Sequence, residues 1–234
     1  MDYSNPLLIS LRRVGQRLHI LRPVVRLWRR MRGFAYEEAF DNYVVARITP
    51  GSVVWDIGAN VGFFTEKFSL AVGGAGKVIA FDPSPGCVST LRERFARNDT
   101  VIVEPVGLAD TVGSADFSVS ASTDPTGGLG VRTNHDNVVK VNVTTGDIYA
   151  KEHASSTPNY IKIDVEGYEY EVINGMSGLL SDEKLKAIFI EMHFLELAKR
   201  NLGYAPANIV NTLKSKGFAI RWIDPSHLAA ERGL

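Results

Sequence analysis

Residues 53–64 read VVWDIGANVGFF, an apolar run that ends at an acid and continues into two glycines four residues apart. A strand that is apolar on both faces is typical of the interior of a parallel sheet. Gly58 and Gly62 permit a tight turn, and the following helix directs its positive N-terminus at whatever the turn binds. In open α/β sheets, ligands lie at such carboxyl ends of strands. The stretch therefore predicts a strand, a ligand-binding loop and a helix.

The rest of the chain repeats this alternation of strand and helix, which predicts a mostly parallel sheet with helices on both faces. The other predicted strands are Lys77–Phe81, Val101–Val106, Tyr160–Val165, Ala187–Met192 and Phe218–Ile223. The predicted helices are Tyr36–Arg47, Phe63–Val72, Pro85–Asn98, Tyr168–Asn174 and Pro206–Lys216. An added hairpin is expected from Ala115–Val119 and Val138–Thr144. The Ser, Thr and Gly residues of Ser118–Gly130 predict a loop that helps to shape an acceptor pocket.

Composition and charge exclude several classes of protein. The 234 residues have a formal net charge of zero, but the first 33 hold eight arginines and one acid. The remainder is therefore acidic on balance, which argues against a nucleic-acid groove. The single cysteine, Cys87, cannot form an intramolecular disulfide and fits a reducing compartment. No apolar run is long enough to span a bilayer, and no secretory signal is visible. We therefore expect a cytoplasmic protein.

Residues 1–35 predict a basic amphipathic helical arm in front of a domain formed by residues 36–234. Apolar residues recur every three or four positions from Leu7 to Trp28, with arginines on the other faces and a break at Pro23. Two interpretations stay open. In the first, the arm contacts the inner face of an anionic membrane or pairs with a second chain in a dimer. Alternatively, it packs on the domain itself and its arginines are solvated.

A second acid narrows the choice of ligand. Asp82 ends the next predicted strand, twenty residues after Gly62, where a carboxylate in a nucleotide-binding unit accepts ribose hydroxyls. The loop lacks the third glycine of a dinucleotide fingerprint, and Asp56 would repel a pyrophosphate. This disfavours a nicotinamide enzyme. A ribose with a cationic tail and no phosphate describes S-adenosylmethionine. The plainer alternative is that both acids cap helices.

Charged residues also end two later predicted strands. Lys162 and Asp164 share one face of a strand, and Glu191 and His193 share one face of another. Buried charges are costly unless they pair with each other or with a ligand. An acid and an imidazole at the ligand-binding edge can form a general base or hold a divalent metal. A structural histidine at the junction of strand and loop is the alternative for His193.

These motifs together resemble one family. DIGANVGFFT, VIAFDPSP, YIKIDVEGYEYEVINGM and IFIEMH, in this order and spacing, are similar to the FkbM family of S-adenosylmethionine-dependent methyltransferases. The resemblance covers about Tyr36 to Trp222 and leaves out the arginine-rich arm. It implies a class I Rossmann-like methyltransferase fold, whose seven-stranded sheet has its last strand antiparallel. It also implies O-methylation of a hydroxyl on a sugar, polysaccharide or secondary metabolite, so a small-molecule or glycan acceptor.

The resemblance implies roles for individual residues. The implied cofactor-binding residues are Asp56, Gly58, Ala59, Asn60, Gly62, Phe63, Phe81, Asp82, Pro83, Gly107, Asp110 and Asp164. Those implied to face the methyl-transfer site are Lys162, Asp164, Glu166, Glu191 and His193. The chain departs from the family pattern in two places, since the family more often has Glu at Asp82 and a polar residue at Val106. A shorter carboxylate still reaches a diol, and backbone groups would then recognise the adenine.

Two mechanisms stay open for the methyl transfer. In the favoured one, Asp164 and His193 are candidate bases, Glu191 orients His193, and Lys162 pairs with Asp164 or a substrate oxygen. In the other, Asp164, Glu191 and His193 bind a Mg²⁺-like ion that holds a substrate diol. A rival from another class is an inactive S-adenosylmethionine-binding module, with the arm as a membrane tether. The presence of all three acid and imidazole groups counts against it.

Overall fold

The computed structural model describes residues 39–119, 128–129 and 137–233. The predicted arm, residues 1–35, and most of the predicted loop Ser118–Gly130 lie outside the described residues. The proposed contacts of the arm with a membrane or a second chain therefore stay predictions. Among the residues that the structure describes, none of the helices has the length and apolar character needed to cross a bilayer.

The described residues form eleven strands, numbered in chain order. They are β1 Val53–Ile57, β2 Lys77–Phe81, β3 Val101–Glu104, β4 Gly107–Leu108, β5 Gly113–Val119, β6 Gly128–Leu129, β7 Asn137–Thr144, β8 Tyr160–Ile163, β9 Ala187–Glu191, β10 Ala219–Trp222 and β11 His227–Glu231. Seven of them form one sheet in the order β10-β11-β9-β8-β1-β2-β3. β11 runs in the opposite direction to the other six strands of this sheet, which are parallel to one another. The predicted fold class, with its antiparallel last strand, is confirmed.

The predicted hairpin is also present and belongs to a second sheet. β5 and β7 pair antiparallel over their whole length, and β4 and β6 extend them into a four-stranded sheet of order β4-β7-β5-β6. This second sheet follows β3 in the chain and precedes β8. It therefore separates, along the chain, the strands predicted to bind the cofactor from those predicted to carry the chemistry.

The helices begin and end close to the predicted positions, with two additions. They are α1 at residues 39–45, α2 Phe63–Val72, α3 Pro85–Arg94, α4 Gly146–Glu152, α5 Glu169–Asn174, α6 Phe194–Lys199 and α7 Ala205–Ser215. The sequence predicts neither α4 nor α6. The local signal for α4 exists, because the Thr145 side chain accepts a hydrogen bond from Ile148 N and caps the helix. Predicted helix Pro85–Asn98 is shorter in the structure and ends at Arg94.

Alternate residues of the sheet enter two hydrophobic clusters, which shows that both faces are covered. Trp55 and Ile57 of β1 belong to a cluster that includes residues of α5 and α7. Val54, between them in the chain, belongs to a second cluster with Phe40 of α1 and Phe68 of α2. Since every residue of β1 after Val53 is buried, the strand holds its carboxyl end rigidly at one edge of the sheet.

Candidate active site at the carboxyl edge of the sheet

The loop after β1 bends sharply at three left-handed residues. Gly58, Asn60 and Gly62 have φ angles of 80°, 52° and 87°. A Cβ on Gly58 would lie 1.8 Å from the backbone oxygen of Asp164, so a side chain at this position cannot be accommodated. The loop therefore lies directly against the end of β8. It brings the predicted cofactor loop and the predicted catalytic residues into one site.

Asp82, after β2, supports the same loop from the other side. Its Oδ2 accepts a hydrogen bond from Asn60 N at 2.9 Å, and its Oδ1 accepts one from Ser84 N at 2.8 Å. Burial raises the pKa of Asp82 to about 6, although the two N–H donors oppose the rise. The first two amides of the loop donate to Phe81 O, both at 3.0 Å. The end of β2 thus fixes the conformation of the loop.

Asp56 is completely buried. Thr65 Oγ1 donates a hydrogen bond to its Oδ2 at 2.6 Å, and Lys162 Nζ lies 3.7 Å from its Oδ1. Oδ1 accepts no hydrogen bond from any residue that the structure describes. Burial raises the pKa of Asp56 above its usual value, while Lys162 opposes the rise. The sequence predicts that Asp56 contacts the cofactor, and this stays a prediction; in the structure the carboxylate is buried and its neighbours are Thr65 and Lys162.

Lys162 joins the two neighbouring strands through charge. It lies opposite Asp56 in the register of β1 and β8, and its Nζ is 3.1 Å from Asp164 Oδ2. The Phe64 ring covers it, with its centroid 4.6 Å from Nζ. Burial alone would lower the pKa of Lys162, but Asp164 and Asp56 raise it above its usual value. The ammonium is therefore charged and holds Asp164 at the end of β8.

Asp164 keeps 27% of its side chain exposed, in contrast to Asp56. Burial would raise its pKa, but the nearby Lys162 and His193 lower it below the usual value. Asp164 is therefore an ionised carboxylate that is both held in place and open to a ligand. The pairing with Lys162 is one of the two contacts that the sequence predicts for that lysine.

His193 is surrounded by carboxylates. Its Nδ1 lies 2.7 Å from Glu169 Oε1, and its Nε2 lies 3.7 Å from Asp164 Oδ1, 3.5 Å from Glu166 Oε2 and 3.8 Å from Glu191 Oε1. Burial would lower the pKa of His193, but Glu169, Asp164 and Glu166 raise it to about 10. The imidazole is a cation at neutral pH and donates hydrogen bonds. The sequence predicts that Glu191 orients this ring, whereas the hydrogen bond in the structure is made by Glu169.

A second histidine extends the cluster on β11. His227 lies opposite Glu191 in the register of β11 and β9, and its Nε2 is 3.5 Å from Glu191 Oε2. Its Nδ1 lies 2.6 Å from Asp224 Oδ2, and its ring stacks on Phe40. Burial would lower the pKa of His227, but Asp224 and Glu191 raise it to about 9. Sequence reasoning missed this pair, although Asp224, Pro225 and Ser226 are turn-forming residues in front of the histidine.

Comparison with known proteins decides the family. Residues 56–220, well over half of the chain, match the family model of the Methyltransferase FkbM domain. The chain belongs to the FkbM methyltransferase family. The resemblance found in the sequence is thereby confirmed. The class of enzyme, a methyltransferase, and the cofactor, S-adenosylmethionine, are confirmed with it.

Several relatives of this FkbM methyltransferase are known. Hexuronic acid methyltransferase AglP of Haloferax volcanii is 27% identical over an alignment that covers 73% of this chain and 67% of AglP. Methyltransferase sdnD of Sordaria araneosa is 25% identical and the alignment covers 61% of this chain and 68% of sdnD. Among solved structures, SMU.1697c from Streptococcus mutans in complex with SAH has a TM-score of 0.51 at 12% identity, covering 85% of this chain and 98% of that chain. Cofactor-bound Rv0187 from MTB has the same TM-score and identity, and covers 83% of this chain and 78% of that chain. These two structures support the fold alone.

Three side chains of this FkbM methyltransferase lie close enough together to hold a metal ion. Ligand atoms of Asp164, Glu191 and His193 all lie within 4.8 Å of one another. Two features of the site oppose a cation here. Lys162 already neutralises Asp164 at 3.1 Å, and His193 would have to lose its proton before it could bind a metal. The metal-assisted alternative therefore stays a prediction that is not favoured.

The remaining predicted cofactor residues lie after β2, in and after β4, and at the start of α2. A Cβ on Gly107 would lie 3.6 Å from the side chain of Pro83, so these two meet beside the end of β2. A cavity of about 460 Å³ opens next to Pro83 between α3 and β7, with Arg92 and Lys140 in its lining. Phe63 and Asp110 are exposed, at the start of α2 and after β4. Pro83, which the resemblance implies to be a cofactor-binding residue, thus lines an open cavity.

The two histidines predict how the stability of this FkbM methyltransferase depends on pH. A folded-state pKa of about 10 for His193 and about 9 for His227 lies above the ordinary 6.5. Their stabilisation is fully present below pH 6.5 and is lost as pH rises through the folded values. Between pH 6.5 and 9, we expect the free energy of unfolding to fall by about 1.4 kcal/mol per pH unit for each histidine. Asp82, with a pKa of about 6, titrates mainly below this window.

Urea unfolding at pH 6.5, 7.5 and 9 checks this expectation. His227→Gln should remove about half of the slope, since it removes one of the two described histidines whose pKa is raised. His153→Gln is the control, because His153 is exposed and lies on the C-cap of α4. A stability that stays constant from pH 6.5 to 9 in the unmodified protein would contradict the charge assignment of both rings.

Proposed function

We propose that this methyltransferase transfers the methyl group of S-adenosylmethionine to a hydroxyl oxygen of a sugar, polysaccharide or secondary metabolite. One observation carries the proposal: an ionised carboxylate, Asp164, and a cationic imidazole, His193, meet at 3.7 Å beside the glycine loop. Such a pair can orient an alcohol and accept the proton that it loses as its oxygen bonds to carbon. The name of AglP supports a sugar acid as one class of acceptor.

The residues of the loop fit the cofactor. Gly58 has no side chain to fill the space beside Asp164, and each oxygen of Asp82 keeps a lone pair for a ribose hydroxyl after accepting one backbone N–H. The exposed part of Asp164 offers negative charge to a cationic ligand. When bound, S-adenosylmethionine supplies an electrophilic methyl group on a positively charged sulfur. Asp56 contributes indirectly by holding Lys162.

Asp164 and His193 together define a place for the acceptor hydroxyl. Because Asp164 Oδ1 and His193 Nε2 are 3.7 Å apart, one oxygen atom can lie within hydrogen-bond distance of both. The hydroxyl then donates its proton towards Asp164 and accepts a hydrogen bond from the imidazolium. This contact directs a lone pair of the oxygen away from both side chains, towards the methyl group. The protein thus supplies alignment, which can account for a large share of the acceleration.

The low pKa of Asp164 determines when the proton moves. A carboxylate held by Lys162 is a weak base and cannot deprotonate a free alcohol. As the oxygen bonds to the methyl carbon, however, its proton becomes strongly acidic, and Asp164 can then accept it. His193, already a cation, keeps the hydroxyl in place through Nε2–H and does not compete with Asp164 for the proton. A neutral His193 would be required only if the imidazole itself were the base.

An acceptor assay tests the proposal. The purified protein is incubated with S-adenosylmethionine and a panel of hexuronate-containing glycans, neutral glycans and small alcohols, with Mg²⁺ or with EDTA. We expect S-adenosylhomocysteine to form together with an acceptor heavier by one methylene. The new methyl group should survive mild alkali, because an ether survives and an ester does not. The rates with Mg²⁺ and with EDTA should agree.

Each other outcome has a definite meaning. An alkali-labile product would show methylation of a carboxyl group and would contradict the proposed hydroxyl acceptor. Activity that disappears with EDTA would assign Asp164, Glu191 and His193 to a metal instead. S-adenosylmethionine binding without turnover of any acceptor class would favour the inactive binding module.

A further inference from the structure

Glu169 is a buried acid to which neither the sequence analysis nor the proposed reaction gives a role. It is the first residue of α5, and its side chain is completely buried. Glutamate is rarely buried to this degree unless it is paired, because its charge loses the solvation of water. The residue therefore requires a reason for its position.

The contacts of Glu169 point to His193. Its Oε1 accepts a hydrogen bond from Gly167 N at 3.0 Å and lies 2.7 Å from His193 Nδ1. Its Oε2 accepts no hydrogen bond from any residue within the described ranges. An unpaired buried acceptor costs roughly 1–3 kcal/mol. A neutral side chain could cap the turn at Gly167 without burying a charge, so the carboxylate points to the imidazole of His193 as its partner.

The backbone before α5 is shaped around the same ring. Glu166 and Gly167 are two consecutive left-handed residues, with φ angles of 51° and 96°. A Cβ on Gly167 would lie 2.6 Å from Glu196 Cβ, so the turn needs glycine for space as well as for conformation. This turn directs Gly167 N at Glu169 and places Glu166 Oε2 3.5 Å from His193 Nε2. Glu166 and Glu169, on the two sides of this turn, therefore both face the imidazole of His193.

We propose that Glu169 is a positioning residue that holds the His193 ring with Nε2 directed at the space between Asp164 and Glu191. The two orientations of an imidazole related by a half-turn exchange each nitrogen with a carbon. The hydrogen bond between Nδ1–H and Glu169 selects the orientation in which Nε2, and not a carbon, faces Asp164 Oδ1. The role of the ring in the reaction rests on the proposed function, while the orientation itself does not.

The substitution Glu169→Gln tests this role, and Glu171→Gln is its control. Glutamine has the same shape and can still accept the Gly167 hydrogen bond, but it lacks the charge. We expect kcat to fall about 10- to 100-fold, as for other residues that orient a functional histidine, with KM and the Kd of S-adenosylmethionine nearly unchanged. Glu171 lies on the same helix and pairs with Arg200, so Glu171→Gln should keep kcat. Glu169→Asp keeps the charge but shortens the reach, and should lose activity similarly.

Proton and ¹⁵N NMR of the imidazole gives a readout that a merely structural role would not move. The Nδ1–H of His193 should give a strongly downfield signal in the unmodified protein and in Glu171→Gln. The signal should move upfield in Glu169→Gln, whose neutral oxygen is a weaker acceptor, and be lost in Glu169→Asp, whose side chain is too short to reach the ring. This signal needs no turnover, so it also distinguishes the two proposals: if no acceptor is methylated but the signal moves or disappears in these variants, only the proposed function fails. An unchanged signal and kcat in a folded Glu169 variant would overturn the positioning role. So would an equal loss of cofactor binding and kcat.

Discussion

Asp164→Asn is expected to lower kcat about 10²- to 10⁴-fold, the usual contribution of a positioned acid or base, while S-adenosylmethionine still binds. Asparagine has the same shape, but its amide cannot accept the proton that the hydroxyl loses as it bonds to carbon. It also cannot balance the charge of Lys162, which then retains only Asp56 at 3.7 Å. Methyl transfer and cofactor calorimetry on the same preparation separate the two effects.

The control for this substitution is Asp182→Asn. Asp182 Oδ1 accepts a hydrogen bond from Lys184 N at an exposed turn, so the same chemical change there should leave kcat unaltered. Because Asp164→Asn disturbs a buried ion pair, unfolding is measured first and the assays are run well below the midpoint. Undiminished turnover in a folded Asp164→Asn protein would remove Asp164 from the mechanism.

Gly58→Ala is expected to abolish cofactor binding and to destabilise the fold severely. The added Cβ would lie 1.8 Å from the backbone oxygen of Asp164, and a backbone atom of a central strand end cannot move aside as a flexible side chain can. The φ angle of 80° adds strain of its own. Either the loop or the end of β8 must shift, and each movement separates the two halves of the site.

Gly51→Ala is a matched control for the backbone strain. Gly51 has a φ angle of 79°, but within the described residues nothing lies within 4 Å of the position of its Cβ. It should therefore lose only about 1–2 kcal/mol, the cost of a left-handed alanine, and keep cofactor affinity. Urea unfolding and calorimetry with S-adenosylmethionine measure both variants. Similar behaviour of the two variants would show that the loop does not contact β8 as described.

Much of the fold follows from local sequence patterns. β1, β2 and α2 lie at the predicted residues because their apolar runs end abruptly at acids or glycines. β11 escaped prediction because its residues have no β-branched side chain and its place in the sheet depends on pairing with β9, which lies much earlier in the chain. His227 was missed with it.

The candidate site was predictable where a motif fixes a position, and not where tertiary contacts decide burial. The sequence places Asp164 and His193 at strand ends, and the structure brings them together. Glu169 lies in an alternation of tyrosine and glutamate that is typical of an exposed helix surface. Only the contact with His193, 24 residues later, explains its burial. In the same way, the pairing of β1 with β8 sets Lys162 opposite Asp56, and no local pattern indicates that register.

The position of β11 has a consequence for how the enzyme is made. This strand comes last among the described strands, yet it is inserted between β9 and β10. During synthesis, both of those strands therefore present an unpaired edge until residues 227–231 have left the ribosome. Glu191 meets His227 at that same step, since the two are opposite in the register. Closure of the sheet and completion of the charged cluster are thus one event, so a nascent chain with the cofactor loop already formed still lacks its finished reaction centre.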